Sequence, residues 1–325
     1  MRLDPAIAEL TSNPAPMFGA GEAVREWRAA RAVTALLDEL GLFATGSALA
    51  ECPALARLLS SGENATAFAC SAAAAALGKL RSAPLSLWPW RQFSNGVLHS
   101  VTLASAGPAS LSLALVDGIA WTAVRDPEAP DLAAFQPGLL HAVVVAGAAH
   151  GRILRNRSDD PARARIETQA VAFGPGVAFT LAGEREALAL DAVAGQLLTL
   201  RLYRRPAGEV PARQYDVASG ALVHQAAGNG DDSRAELMMA LLRAMERGDA
   251  APTIAALART GAPPARWQAL RETLALDSTA GFAALLEVAG QADDPLAAPA
   301  RTLVESLAAQ HPAFARAREE MLCRA

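Results

Sequence analysis

The sequence has few of the residues on which common catalytic and metal-binding sites depend. Its 325 residues include 5 histidines and 3 cysteines, and Lys79 is the only lysine. Cys52, Cys70 and Cys323 are odd in number and have neither CxxC nor CxxxC spacing, which argues against a disulfide framework and fits a reducing cytoplasm. Aromatic residues make up only 5% of the chain, so alanine supplies much of its apolar content.

Positive charge is also in deficit. The 29 Lys and Arg residues face 33 Asp and Glu residues, which gives a formal net charge of −4. This balance argues against a nucleic-acid-binding protein. Arg201, Arg204 and Arg205 nevertheless form a local group, which either meets an anion or is the solvated end of a strand.

Long apolar segments are missing as well. Residues 65–77 form the longest weakly apolar run, and this run is too short and too rich in alanine for a membrane span. Residues 1–20 carry Asp4 and Glu9 and lack a basic flank before an apolar stretch, so we expect no signal peptide. The sequence therefore predicts a soluble, cytoplasmic protein without a membrane partner.

Three signatures of catalysis are absent from the sequence. It contains no GxSxG elbow, and no cysteine has a histidine nearby, which argues against nucleophilic catalysis. The glycine-rich stretch 228–232 lacks the lysine of a phosphate-binding P-loop. Glu184 and Glu186 could act as paired carboxylates, but the sequence supplies no partner for them. No reaction and no cofactor follow from these patterns.

The first part of the chain reads as helix. Residues 20–42 carry apolar side chains at helical spacing with arginines on the opposite side, which predicts one amphipathic helix with a stop at Gly41. Two further helices are expected at 53–59 and 64–80.

A proline-rich segment ends this helical arm. Pro84 and Pro89 forbid helix continuation and favour extended chain. Trp88 and Trp90 then share one face of that chain, where they either plug the β-domain or form a stacking platform for a planar ligand.

Residues 97–226 show the period of two that is typical of strands. We count ten or eleven short strands with turn signals between them and no intervening helices, which predicts an antiparallel sandwich or barrel. Asp117 and Gly118 lie between two alternating runs, which predicts a type I′ hairpin followed by a strand with Ile119 and Trp121 on one face.

Two stretches of this region resemble the cupin family. Residues 135–141 (FQPGLLH) are similar to the PG turn and histidine that enter a cupin strand, and residues 173–177 (FGPGV) are similar to the second PG turn. The resemblance covers residues 90–205 and implies a jelly-roll barrel. The chain departs from the family at the metal motif, because Val143 stands where the second histidine is expected and the expected region after Gly176, residues 180–186, contains no histidine. The usual metal site is therefore missing from the pattern.

The remaining candidate metal ligands are scattered histidines. His99, His141 and His150 lie on predicted strands and could assemble a site with Glu167 or Glu186, although no two of the histidines have a chelating spacing. The alternative is that they are ordinary core or surface residues. The candidate ligand-binding residues of the barrel are His99, Trp121, His141, His150, Arg201 and Tyr203.

From Arg234 onwards the apolar period changes to that of helices. Leucines recur at a spacing of 33 residues, and this pattern resembles HEAT-type repeats, which implies a surface for protein partners. The alternative is a helical bundle that packs on the barrel. The paired leucines are Leu237/Leu241, Leu270/Leu274 and Leu303/Leu307. The six predicted helices cover residues 234–246, 250–259, 264–276, 278–290, 295–309 and 311–322.

Together these patterns predict an α+β protein with a central antiparallel, cupin-like barrel or jelly roll. We expect an N-terminal helical arm at 1–90, the β-domain at 91–228 and a HEAT-like helical domain at 229–325. The predicted function is a non-catalytic or accessory one. The barrel would bind a small molecule or act as a scaffold, and the helical arms would meet a protein partner or a second copy. The alternative is a cupin-like metal-dependent enzyme, an oxygenase or isomerase, with an atypical histidine site.

Overall fold

The part of the chain that can be described excludes both ends. The computed structural model describes residues 15–126, 128–208, 210–226, 228 and 230–322. Asp4, Glu9 and Cys323, to which some of the sequence expectations refer, lie outside these residues.

The chain divides into two compact units. The first unit comprises Met1–Ala207 and Arg213–Val223, and the second comprises Gly208–Ala212 and His224–Ala325. In the residues that the structure describes, none of the helices combines the length and the apolar character that crossing a membrane requires.

Four helices open the first unit: α1 (Gly19–Ala29), α2 (Arg31–Ala44), α3 (Pro53–Ser60) and α4 (Gly62–Ser82). The prediction of one helix over residues 20–42 is wrong, because Ala30 adopts an extended ψ of 134° and interrupts the helical hydrogen bonds. The Thr34 hydroxyl donates to the Arg28 carbonyl (3.0 Å) at this break. The stop also differs, since α2 continues through Gly41 to Ala44. Helices α3 and α4 agree with the predicted ones.

The tryptophans of the proline-rich segment pack mainly on each other and on the helices. Trp90 is buried, and its ring lies 6.2 Å from that of Trp27 and 5.5 Å from that of Trp88. Trp90 belongs to the same apolar core as the helices, whereas Trp88 remains exposed. The burial of Trp90 favours a packing role for that residue.

The described part of the chain then contains ten strands: β1 (Arg91–Ser94), β2 (Leu98–Ala106), β3 (Ala109–Asp117), β4 (Leu132–Phe135), β5 (Leu139–Asn156), β6 (Ile166–Phe173), β7 (Ala178–Ala182), β8 (Glu186–Arg204), β9 (Ala212–Asp216) and β10 (Leu222–Ala226). Seven of them form one sheet in the order β1-β2-β3-β8-β5-β6, with β7 also paired to β5. The other three form a second sheet in the order β10-β9-β4.

The expectation of a closed barrel needs correction. In the described residues β1 and β6 end the order of the larger sheet and do not pair with each other. The long strand β5 pairs with β7 through its first residues and with β6 through its second half. One edge of β5 therefore carries two short strands in succession, and the sheet stays open.

The predicted hairpin at Asp117 is also wrong. Residues Gly118–Val124 form a short helix, α5, and the Asp117 carboxylate caps it by accepting from the backbone amides of Ile119 (2.9 Å) and Ala120 (3.0 Å). Gly118 lies so close to β8 that an added Cβ would be 2.5 Å from the Val193 carbonyl oxygen. Asp-Gly thus serves here as a helix start and not as a type I′ turn.

The larger sheet has two unlike faces. On β8, Leu198, Leu200 and Leu202 pack into the core that α1–α4 provide, and we call this side the helix-covered face. Thr199, Arg201 and Tyr203 point the other way because strand residues alternate, and we call their side the cavity face.

Six helices make up most of the second unit: α6 (Gly230–Ala244), α7 (Ala251–Leu257), α8 (Pro263–Leu276), α9 (Ser278–Gly290), α10 (Ala297–Gln310) and α11 (Pro312–Leu322). They confirm the six predicted helices, with differences of a few residues at the ends. Leu270 of α8 and Leu285 of α9 are fully buried in a shared core. A buried ion pair joins Arg266 of α8 to Asp294, which precedes α10.

The leucines at the 33-residue spacing do not share one environment. Leu270 is fully buried, whereas Leu237 and Leu241 on α6 are 71% and 56% exposed. The sequence period therefore does not translate into three equivalent helix pairs.

Candidate functional site

A cavity of about 930 Å³ lies on the cavity face of the first unit. Strands β2, β3, β5, β7 and β8 contribute to its wall, and α5, residues 125–126 and residues 129–136 lie along it. Arg125, Asp126 and Asp131 are exposed, so the charged part of the lining is open to water. The volume is within the range typical of small-molecule sites.

Much of the cavity wall is apolar. Its larger apolar side chains come from different strands, and alternation along each strand directs them to the same side of the sheet. Phe179 and Leu181, for example, are two residues apart on β7, and Leu188 and Leu190 are two residues apart on β8. The principal apolar residues are Leu98, Leu140, Phe179, Leu181, Leu188 and Leu190.

Arg201 brings a positive charge into this apolar wall. Its Nε donates to the Thr199 hydroxyl (2.9 Å), which itself donates to the Ala114 carbonyl (3.3 Å). Among the described residues no carboxylate lies within ion-pair distance of the guanidinium. Burial lowers the pKa of Arg201, but a guanidinium keeps its proton at any pH a protein meets. The cavity thus holds a largely buried charge without a counterion from the described chain.

Two other charged side chains of the cavity, Arg152 and Glu186, have charged partners. Arg152 donates to Asp131 (2.6 Å) and Asp191 (3.0 Å), and its hydrogen bonds to these two carboxylates raise the pKa of Arg152. Glu186 accepts from Arg155 at 2.9 Å. Arg201 differs from Arg152, because Arg152 has two carboxylate partners and Arg201 has none among the described residues.

Trp121 adds an unused hydrogen-bond donor. Its indole Nε1 is buried in the cavity lining and has no hydrogen-bond partner among the described residues. Helix α5 positions the ring, and the Asp117 cap described above fixes where α5 begins. A buried donor without an acceptor is costly, and a polar ligand atom could satisfy it.

Tyr203 forms a fixed part of the wall. Its hydroxyl donates to the Pro137 carbonyl (2.5 Å), and burial raises the pKa of the phenol. Gly138 permits this approach, because its φ is +125° and an added Cβ would lie 2.6 Å from the Tyr203 hydroxyl. Tyr203 therefore shapes the cavity wall.

The three histidines do not join this cavity. His141 lies on the helix-covered face opposite Leu202, with Nδ1 2.9 Å from the Thr180 hydroxyl and its ring 5.9 Å from that of Phe43. His99 is 2.9 Å from the Ser94 hydroxyl, and His150 is exposed.

Of the six candidate ligand-binding residues, the structure brings Trp121, Arg201 and Tyr203 together. Within the described residues, no group of three His, Cys, Asp or Glu side chains has the geometry for a metal ion.

The sequence patterns did not predict the contact between Thr199 and Arg201. Thr199, which positions Arg201, lies two residues before it on the same face of β8, so strand alternation could have identified it. The same alternation separates Arg204 from Arg201, and Arg204 indeed lies on the helix-covered face, where it donates to the Phe43 carbonyl.

Comparisons with known proteins add only distant similarities. The chain matches no protein-family model and no curated protein sequence. It is similar to the solved structure of ectoine synthase from P. lautus, with 17% identity over 35% of this chain and 69% of that chain and a TM-score of 0.23. It is also similar to the solved structure of HutD from Pseudomonas fluorescens SBW25, with 12% identity over 36% of this chain and 56% of that chain and a TM-score of 0.23. A third similar structure is vicilin from hazelnut (Corylus avellana), with 15% identity over 40% of this chain and a TM-score of 0.26. This match spans 33% of the vicilin chain, about a third of its length. At these TM-scores we assign neither a family nor an activity from the similarities.

Proposed function

We propose that the first unit binds a small organic anion in the cavity beside Arg201. The guanidinium would bind the anionic group, and the apolar wall would cover the body of the ligand. The observation that carries this proposal is a largely buried arginine in a cavity, held by one hydroxyl and without a carboxylate partner among the described residues.

The energetic argument starts from the cost of burying a charge. A guanidinium that leaves water loses several kcal/mol of hydration unless a partner replaces it. A carboxylate can accept two parallel hydrogen bonds from one guanidinium, which is among the stronger polar contacts in proteins. A ligand of this kind would therefore offset the desolvation cost of burying the Arg201 guanidinium.

The lining favours a ligand with an apolar body. Phe179, Leu181 and Leu188 offer hydrocarbon surface, and the Trp121 indole offers a second donor for a polar ligand atom. We infer a monoanion with a ring or branched chain, because a small polar anion would leave the apolar wall uncovered.

We also propose that the larger sheet is cupin-like. Both PG turns that carry the resemblance precede strands, β5 and β7, and their glycines adopt the left-handed φ values of +125° at Gly138 and +86° at Gly176. These turns support the resemblance. On this proposal the cupin-like sheet serves ligand binding without catalysis.

For the second unit, a HEAT-like surface for protein partners stays a prediction. Helix α9 packs against both α8 and α10, as neighbours in a helical array do. The unequal burial of the leucine pairs argues against a regular repeat.

A fluorine NMR titration tests the binding proposal. The probes are 4-fluorobenzoate and its uncharged analogue 4-fluorobenzamide, which have nearly the same shape. We expect saturable binding of the benzoate alone. Loss of Arg201 in Arg201→Gln should weaken it about 10- to 100-fold, the effect expected for a charged hydrogen bond.

The matched control is Arg81→Gln, which removes an exposed arginine of α4. This variant should bind the benzoate as the wild type does. Equal binding of benzoate and benzamide, or unchanged benzoate binding by folded Arg201→Gln, would refute the role of Arg201.

A further inference from the structure

Helix α6 of the second unit carries apolar side chains on two sides. On one side Met239 is buried in the core of this unit, and Leu242 packs against the same core. On another side Leu237, Met238 and Leu241 are 71%, 62% and 56% exposed. A surface helix usually presents polar residues away from its core, so these exposed residues indicate a further contact.

The exposed residues form one stripe along α6. Around the helix axis, at about 100° per residue, four of them lie within about 100° of one another, and we call them the α6 stripe: Leu237, Met238, Leu241 and Met245. The amide of Met245, which is 56% exposed, donates to the Leu241 carbonyl (2.9 Å), so the helical path reaches this residue. Among the side chains that the structure describes in the second unit, Leu257 is the one other large apolar residue that is exposed.

Charged residues follow one another in opposite order at the two ends of the α6 stripe. From the middle outwards, the N-terminal end carries Arg234 and then Asp231, whereas the C-terminal end carries Glu246 and then Arg247. Arg234 pairs with Asp231 (3.1 Å), and Arg247 pairs with a carboxylate two residues further on (2.7 Å). Both ion pairs are open to water, so a second surface can exchange their partners at little cost.

These features fit an antiparallel second copy of the same helix. A rotation of 180° about a point near Ala240 sets Met238 of each copy against Leu241 of the other, and it sets Arg234 of each copy near Glu246 of the other. A parallel pair would instead place each charge against itself, which is unfavourable. A two-fold interface needs a patch that is complementary to itself, and the α6 stripe meets this condition in apolar character and in charge. We propose that the protein forms a homodimer through antiparallel pairing of α6.

The size of the helix predicts a weak dimer. Helix α6 has 15 residues, so one helix pair buries less than the roughly 1,200–2,000 Å² of a standard stable interface. Interfaces below that size belong mostly to transient complexes. We therefore expect a monomer–dimer equilibrium with a dissociation constant in the micromolar range.

Sedimentation velocity of the full chain between about 1 and 200 µM tests the proposal. We expect the average mass to rise with concentration from the 33.6 kDa of one chain towards twice that value. Met238→Gln combined with Leu241→Gln should raise the dissociation constant at least about tenfold, because each dimer loses four apolar side chains from its centre. A monomer at every concentration, or an unchanged dissociation constant in this folded double variant, would overturn the proposal.

The matched control combines Ile119→Gln with Leu257→Gln. It removes two exposed apolar side chains that lie outside α6, one of them 80% and the other 39% exposed. This protein should dimerise as the wild type does, and circular dichroism checks that every variant is folded. Equal weakening in the control and in the α6 variant would assign the association to general surface hydrophobicity and not to the α6 stripe.

A charge exchange tests the antiparallel arrangement. Arg234→Glu and Glu246→Arg should each weaken the dimer about three- to tenfold, because each places like charges opposite one another twice in the dimer. The two substitutions together restore opposite charges between the copies, so the dissociation constant should return to within about twofold of the wild type. Additive weakening in the combined variant, or no weakening in either single variant, would refute the antiparallel pairing.

Discussion

Two arginines three residues apart on β8 meet opposite environments. Arg204, on the helix-covered face, donates to the carbonyls of Phe43 (2.6 Å) and Ser47 (2.9 Å) and lies 4.4 Å from the centre of the Phe43 ring. Arg201, on the cavity face, has the Thr199 hydroxyl as its hydrogen-bond partner in the described structure. The first arginine completes the C-terminal end of α2, whereas the second has no carboxylate or carbonyl partner among the described residues.

The two faces should differ most in how they tolerate loss of an apolar side chain. Leu200→Ala removes a fully buried side chain from the helix-covered face and should cost about 2–5 kcal/mol of unfolding free energy. Urea unfolding followed by tryptophan fluorescence measures this, since most of the tryptophans lie in the first unit. Those tryptophans are Trp27, Trp88, Trp90 and Trp121.

The control for this prediction is Ile119→Ala, which shortens a side chain that is 80% exposed. It should change the unfolding free energy by less than about 0.5 kcal/mol. A similar loss in both variants would mean that burial does not distinguish the two positions.

Arg204→Met should give the next largest loss of stability. The substitution keeps the length of the side chain but removes the donors to the Phe43 and Ser47 carbonyls, so we expect a cost of about 2 kcal/mol. The same urea experiment measures it. An unchanged midpoint would show that these contacts do not hold the end of α2.

Arg201→Met should show the opposite behaviour. It removes a desolvated charge that lacks a counterion in the described structure, so the unfolding free energy should stay within about 0.5 kcal/mol or rise. Binding of 4-fluorobenzoate should be lost in the same protein. A loss of stability as large as that of Arg204→Met would instead make Arg201 a structural residue.

The smallest expected difference between the faces depends on pH. Burial and the nearby Arg204 lower the pKa of His141 on the helix-covered face. In the unfolded chain His141 has a pKa of about 6.5, so as the pH falls it takes up a proton at a higher pH than in the folded chain. The free energy of unfolding therefore decreases as the pH drops below about 6.5.

His141→Gln should remove this contribution. Between pH 7.5 and 5.5 the urea midpoint of the wild type should fall more than that of the variant. Equal decreases would show that His141 does not contribute to the acid sensitivity of the fold.

The sequence predicted the helices and strands better than the breaks, turns and strand pairing that connect them. Helix α3 follows from a proline at its first turn and α4 from alanine propensity, and the six helices of the second unit follow from apolar periodicity. The break at Ala30 and the helix at Gly118 were missed, since both depend on contacts with distant residues, such as the approach of β8 to Gly118. The open sheet was missed for the same reason, as pairing along β5 is a tertiary property.

The site was predictable in part. Trp121, Arg201 and Tyr203 were among the six predicted ligand-binding residues, and the structure places these three in the lining of one cavity, although Trp121 lies on a helix and not on the predicted strand. A ligand-binding role for them stays a prediction. The histidines failed to join them because strand alternation and burial place His141 on the other face.

A crystal structure grown with 4-bromobenzoate would test the central claim most directly, because the bromine locates the ligand by anomalous scattering. We predict the carboxylate within hydrogen-bond distance of the Arg201 guanidinium and the ring against the apolar wall of the larger cavity. A ligand bound elsewhere, or an empty cavity with Arg201 turned towards a protein carboxylate, would contradict the account.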